Sequence, residues 1–276
     1  MNGNGSGFGR SLTGEQIYAL FNDPFHDPAS PITLRPPRDV SILLDCPFLC
    51  IVELLLQAVA KEGGLKLTQR GYLPPKLCRE IYARRHITDW FIDEGITKIT
   101  TEGNLISVHT ARLIIGIAGL VKKQKNTLSL TRKGQALLGP EKRFELFRAV
   151  FYTYTVHFNW AYNDMFTDLP VGQSGFAFTL MLLKGYGSEW REARFYADIF
   201  RTTVSPADDL FEEEEDPEEK KEKFIRCYCL RSFERFTNWF GLTEFSRKEA
   251  INYAYQNSIR KTPLFDAVIG ERKKSG

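Results

Sequence analysis

Apolar residues recur at helical spacing in several blocks along the chain, and short alternating or basic segments separate these blocks. Over 47–62, Phe48, Ile51, Val52, Leu55, Leu56 and Val59 fall on one helical face. Gly63-Gly64 then supplies a left-handed stop. Leu65-Lys66-Leu67-Thr68 reads as a short strand. Pro74-Pro75 opens a helix to about 85, because proline suits a first turn, and a shorter helix covers 87–93. A long apolar helix spans 105–118 and closes at Gly119-Leu120. Val121-Lys122-Lys123 and Leu128-Ser129-Leu130 form two strands around Gln124-Lys125-Asn126, and Thr131 caps a helix over 132–138. Beyond Gly139-Pro140 the texture turns aromatic. Phe144, Phe147, Phe151, Tyr154, Phe158 and Tyr162 predict one long helix over 142–164, with further helices over 174–183, 191–201 and 220–240.

The pattern contains an internal repeat. Leu65-Lys66-Leu67-Thr68-Gln69-Arg70-Gly71 matches Leu128-Ser129-Leu130-Thr131-Arg132-Lys133-Gly134 as Leu-x-Leu-Thr-x-basic-Gly. An apolar helix precedes each copy and a helix follows it. A fainter third unit would run from a helix end at Phe240-Gly241-Leu242, through a strand and a turn region, to 258–265. The expected fold is mainly α with small β-hairpins. A flexible arm covers 1–37, where alternating glycines and Asp23-Pro24, Asp27-Pro28, Ser30-Pro31 and Pro36-Pro37 interrupt regular structure, apart from one short helix over 14–21. Paired units occupy 38–140, each a helix and a small hairpin. A helical domain fills 141–276, with the acidic run 208–222 as a solvated loop.

Residues 119–138, GLVKKQKNTLSLTRKGQALL, resemble the wing of winged-helix regulators of the multiple-antibiotic-resistance type. There a helix ends in Gly-Leu, a basic hairpin follows, and Leu-Thr-x-x-Gly starts the next helix. The resemblance implies that the paired units are winged-helix-like and in tandem, with the hairpin as wing. With LKLTQRGYLP at 65–74, the chain also resembles a group of bacterial proteins without assigned activity, which implies no particular chemistry. One departure bears on function. A helix that reads bases needs a polar, long-armed face. The 105–118 helix is apolar almost all round, with Ser107, His109, Thr110 and Arg112 as its polar residues, and such a helix packs on most sides.

Hydrophobic residues make up 43% of the 276-residue chain and charged residues 26%, enough for a sizeable core. The net charge of +3 does not by itself demand a polyanionic partner, but its placement is uneven. From 61 to 145 basic side chains outnumber acidic ones about two to one, whereas 208–222 is strongly acidic. No run of apolar residues is long enough for a membrane span. The first ten residues lack the apolar core of a secretory signal. With Cys46, Cys50, Cys78, Cys227 and Cys229 an odd set, a cytoplasmic protein with reduced thiols is expected.

Candidate chemistry is sparse. Cys46-x3-Cys50 has ligand-like spacing but no His partner nearby, and Cys227-x-Cys229 diverges on a helix, so buried apolar thiols and no metal are expected. His157 lies among aromatics, where a satisfied core or edge histidine is the reading. Gly172-Gln173-Ser174-Gly175 falls one residue short of a nucleophile elbow and reads as a loop with Ser174 as helix cap. Asp164 and Asp168 fit a helix-to-loop transition as well as an acid–base pair. Tyr152 and Trp160 lie off the aromatic stripe and could present a second contact surface.

Three functions stay open. The leading one is a non-enzymatic regulatory or adaptor protein, free of cofactors, whose basic wing touches nucleic acid or an acidic protein surface. Lys122, Lys123, Lys125, Arg132 and Lys133 would supply charge and Arg112 a groove contact. The others are a protein-interaction scaffold, and a metal-dependent hydrolase or nuclease with scattered carboxylates.

Overall fold

The computed structural model describes residues 12–61, 64–164, 166, 171–203, 216–246 and 254–272. Among them the protein is mainly helical, with three small open sheets. The chain divides into two compact units, 37–159 and 1–36 with 160–276.

The segment expected to be an arm is built into the second of these units from Thr13 onward. Helix α1 (Gly14–Asn22) starts at a reciprocal cap between Thr13 and Gln16 and buries Ala19 and Leu20 against a later helix of the same unit. Strand β1 (Ile32–Leu34) pairs antiparallel with the last strand of the chain, Ile32 opposite Glu271. Residues 1–11 lie outside the described residues.

In the 37–159 unit, α2 (Pro47–Ala60) places Phe48, Val52, Leu55, Leu56 and Val59 in the core. Strand β2 (Leu65–Lys66), helix α3 (Pro75–Tyr82) and the single turn α4 (Trp90–Asp93) follow. Helix α5 (Ile106–Ile117) lies on α2 and buries Val108, Ala111, Ile114 and Ile115. Strands β3 (Val121–Gln124) and β4 (Thr127–Leu130) make the hairpin, and α6 (Arg132–Ala136) begins at Thr131. The two Leu-x-Leu-Thr copies do not form two hairpins. They pair with each other, Leu65 opposite Leu128, in one sheet of order β2-β4-β3. Residues 38–140 therefore hold one such set of elements, not two. The copies also differ after the shared threonine. Gly71 turns left-handed (φ 78°) and no helix starts there, whereas Gly134 lies inside α6.

Helix α7 (Arg143–Tyr152) belongs to this unit, packing on the short helical turn Val40–Asp45. The continuous helix expected over 142–164 is interrupted. At Thr153–His157 it widens into a π turn, closed by the Phe158 N–H donating to the Thr153 carbonyl. The Thr155 hydroxyl donates to the Phe151 carbonyl at 2.9 Å, a side-chain bond that competes with the helical ladder.

In the other unit, α8 (Phe176–Tyr186) is buried along its first eight residues. Strand β5 (Arg191–Glu192), α9 (Ala193–Thr203) and α10 (Pro217–Cys229) follow. The helix beginning at α10 continues as a π segment, Leu230–Thr237. Strands β6 (Thr243–Phe245) and β7 (Ser258–Lys261), helix α11 (Pro263–Val268) and β8 (Ile269–Glu271) complete it. Aromatic rings fill its core, among them Phe178, Phe200, Phe224, Tyr228 and Phe233. The acidic run lies largely outside the described residues, apart from 216–222 at the start of α10.

A common run of elements recurs in the two units: helix, strand, helix, helix, strand, strand, capped helix, with the single turn α4 as an addition between the two middle helices of the first. Their sheets match, β2-β4-β3 and β5-β7-β6. The correspondence reaches single bonds. Gly119 (φ 69°) and Gly241 (φ 67°) each end a helix left-handed. Leu120 N–H donates to Ile115 O as Leu242 N–H does to Thr237 O. The Thr131 hydroxyl donates to Gly119 O and accepts from Gly134 N–H; the Thr262 hydroxyl donates to Gly241 O and accepts from Phe265 N–H. The fainter third match in the sequence is thus the hairpin end of the second set.

Candidate nucleic-acid interface

Hairpin β3–β4 turns on Lys125 and Asn126, both with positive φ (46° and 59°), the mirror-type turn that suits the twist of paired strands. Asparagine tolerates this conformation better than most residues. Here it also anchors the turn. Its carbonyl accepts the Leu67 N–H at 2.8 Å and its side-chain amide donates to Thr68 O at 3.2 Å. Lys122, Lys123 and Lys125 are exposed on this wing. The Lys123 ammonium lies over Gly71, where a β-carbon would come within 2.7 Å of it. Arg132 is exposed at the start of α6. Among the described residues, none of Lys122, Lys123, Lys125 and Arg132 has a carboxylate within ion-pairing distance.

Two of the expected contacts are engaged elsewhere. Lys133 donates to the Ala118 carbonyl at 2.8 Å, closing the C-terminal end of α5, where a cation complements the helix dipole. Arg112 is held by Glu102. That carboxylate is fully buried and accepts from Arg112 Nε (2.5 Å), His109 Nδ1 (2.6 Å) and the Leu73 N–H (2.6 Å). Burial alone would raise the Glu102 carboxyl, but these three bonds outweigh it and hold it below the usual range. The exposed residues of α5 are Ile106, Gly116 and Ile117, with no long polar arm among them. The helix is not equipped to read base edges.

Charge in the segments that build this sheet is one-sided. Residues 64–79 contain Lys66, Arg70, Lys76 and Arg79, and residues 103–140 contain six Lys and Arg; neither stretch has an Asp or Glu. Lys66 and Arg70 were not singled out from the sequence. A scan for stretches free of carboxylates would have found them, but their place beside the wing depends on the β2–β4 pairing.

The other candidate groups have structural roles. All five cysteines are free thiols in the core, and burial pushes Cys50 up to about 11 and Cys78 and Cys227 to about 12. No three metal-ligating side chains cluster among the described residues. Asp164 is bound two-pronged by the buried Arg231, at 2.6 and 3.1 Å, and Asp168 lies outside the described residues. Gly175, not Ser174, caps α8, without a side-chain bond. His157 is exposed with its ring edge against Tyr152. Trp160 is buried on Phe236, which removes it from any contact surface. No helix among the described residues is long and apolar enough to cross a membrane. Neither a family model, nor a curated protein, nor a solved structure matches the chain.

Proposed function

We propose that the protein is a non-catalytic regulatory adaptor built on two winged-helix units, one in each compact unit, and that the 37–159 unit holds a nucleic acid by its basic β3–β4 wing. One observation carries this reading. Residues 64–71 and 121–132, which hold the β2-β4-β3 sheet and its turns, bring six Lys and Arg side chains (Lys66, Arg70, Lys122, Lys123, Lys125 and Arg132) and no carboxylate. Wing cations that neutralise phosphates release condensed counterions, so binding weakens steeply with salt. With Arg112 withheld by Glu102, the contact is to the backbone and carries little sequence preference.

The test is fluorescence anisotropy on short mixed-sequence nucleic acids at two salt concentrations. Lys123→Glu with Lys125→Glu is expected to weaken binding at least about tenfold and to flatten the log–log salt slope by about 2. Undiminished binding by the double variant would remove the wing from the account.

A second reading is favoured by α5 itself. Ile106 and Ile117 are 38% and 50% exposed at the two ends of α5, apolar side chains open to a protein partner. Absence of binding to any nucleic acid at low salt would promote this reading over the first.

A further inference from the structure

Residues paired across antiparallel strands point to the same face, and neighbours along a strand to opposite faces. In the first sheet Leu128 and Val121 face the core. The outward face therefore carries Lys66, Thr127 and Gln124 in one row across β2, β4 and β3, and Ser129 with Lys122 in the next. All five are exposed or half-exposed. The row spans two strand spacings, about 10 Å. The two rows together hold two ammonium groups, two hydroxyls and an amide, with no acid and no aromatic ring among these five residues.

The second sheet serves as an internal control with the same strand order. Its outward face carries Glu192 with Ser258 and Glu244 with Arg260. There the single cation is neutralised by Glu244 at 2.6 Å and stacked 4.7 Å from the centre of the Trp190 ring. The topology alone does not produce a cationic hydroxyl-lined face; the residues on the first sheet do.

We infer that this outward sheet face is a docking track for the sugar–phosphate backbone of a double-stranded nucleic acid, running from Lys122 of the wing across to Lys66; Lys123, opposite core-facing Leu128, extends from the other face. The inference rests on the wing reading and extends it. Charge complementarity selects a polyanion, and the hydroxyl and amide groups between the lysines are donors for phosphate oxygens. Surfaces that hold single strands stack bases on aromatic side chains. This face has none, so a duplex, whose bases are already stacked, is the occupant.

The experiment measures anisotropy of the full chain with a mixed-sequence DNA duplex, a shuffled duplex, the matching single strand and polyglutamate. Lys66→Gln replaces an exposed side chain. It is expected to weaken duplex binding about fivefold and to reduce the salt slope by about 0.9. Thr127→Val with Ser129→Ala should weaken it at an unchanged slope, and both duplexes should bind alike. If Lys66→Gln changes neither affinity nor slope while Lys123→Glu/Lys125→Glu loses binding, the sheet track is overturned and the wing stands. Tighter binding of the single strand or polyglutamate overturns the duplex assignment. A wild-type chain that binds none of the probes removes wing and track together.

Discussion

Glu102 and Glu234 are carboxylates drawn out of water, and their surroundings pull them in opposite directions. Glu102 receives three donors and is held below the usual range. Its contribution to stability is present above the unfolded value near 4.5 and is lost as pH falls through the depressed folded value. Glu234 is raised, by burial, against a bond from the Ala254 N–H at 2.5 Å and the nearby charge of Arg235. Its contribution is present below about 4.5 and is lost as pH rises through the raised folded value. Glu234→Gln keeps an acceptor for Ala254 and is expected to be at least as stable as wild type at neutral pH. Its advantage should shrink towards pH 4.5. Urea unfolding of both proteins at several pH values checks this, and a variant that is less stable at neutral pH contradicts it. Neither role was legible in the sequence. Glu102 gathers donors from residues 73, 109 and 112, and only folding reveals that Arg112, expected at a nucleic-acid groove, is already taken.

Among the elements, helices were the most legible because apolar spacing reports which face is buried: α2, α5 and α6 lie within a few residues of where the pattern puts them. The π turns at 153–157 and 230–237 were not legible, since they coincide with particular hydrogen-bonded side chains, Thr155 and Arg231, and leave no period. The Leu-x-Leu-Thr repeat marked strands correctly but not their partners, because two identical short strands can pair with each other or each with a third. Its two glycines serve different ends. In α6, a β-carbon on Gly134 would come within 2.0 Å of the Leu120 carbonyl oxygen, so helix and strand entry could not both stay in place. Gly134→Ala should cost about 1–3 kcal/mol of unfolding free energy. In α5, Gly116 has open space, and Gly116→Ala should gain up to about 1 kcal/mol. Equal effects in thermal or denaturant unfolding would contradict the close approach at Leu120.

For the whole molecule, the mainly helical character was readable in advance, but the grouping was not. The aromatic stripe beginning at Phe144 suggested a new domain, yet α7 groups with residues 37–159. The second set of elements was visible only as a faint third match at its hairpin end, because it keeps the geometric positions, Gly241, Leu242 and Thr262, and drops Leu-x-Leu-Thr. Two sheets of one order thus carry different outward faces, one with lysines as its only charges and one with two carboxylates and a single cation. Any interaction driven by the basic sheet should survive Arg260→Gln, which changes only the other sheet, and should respond to Lys66→Gln. Matching losses from both variants in the same titration would mean that binding follows total charge rather than this surface.

The anchoring of Asn126 has a consequence for proteolysis. Trypsin must draw a pliable, extended stretch of chain into its cleft, and a hairpin held along its strands and again at its tip yields one only by opening. The bonds after Lys122, Lys123 and Lys125 should therefore resist brief digestion although all three side chains face water. Asn126→Gly keeps the left-handed bend but loses the amide bond to Thr68, and should turn this loop into an early cleavage site.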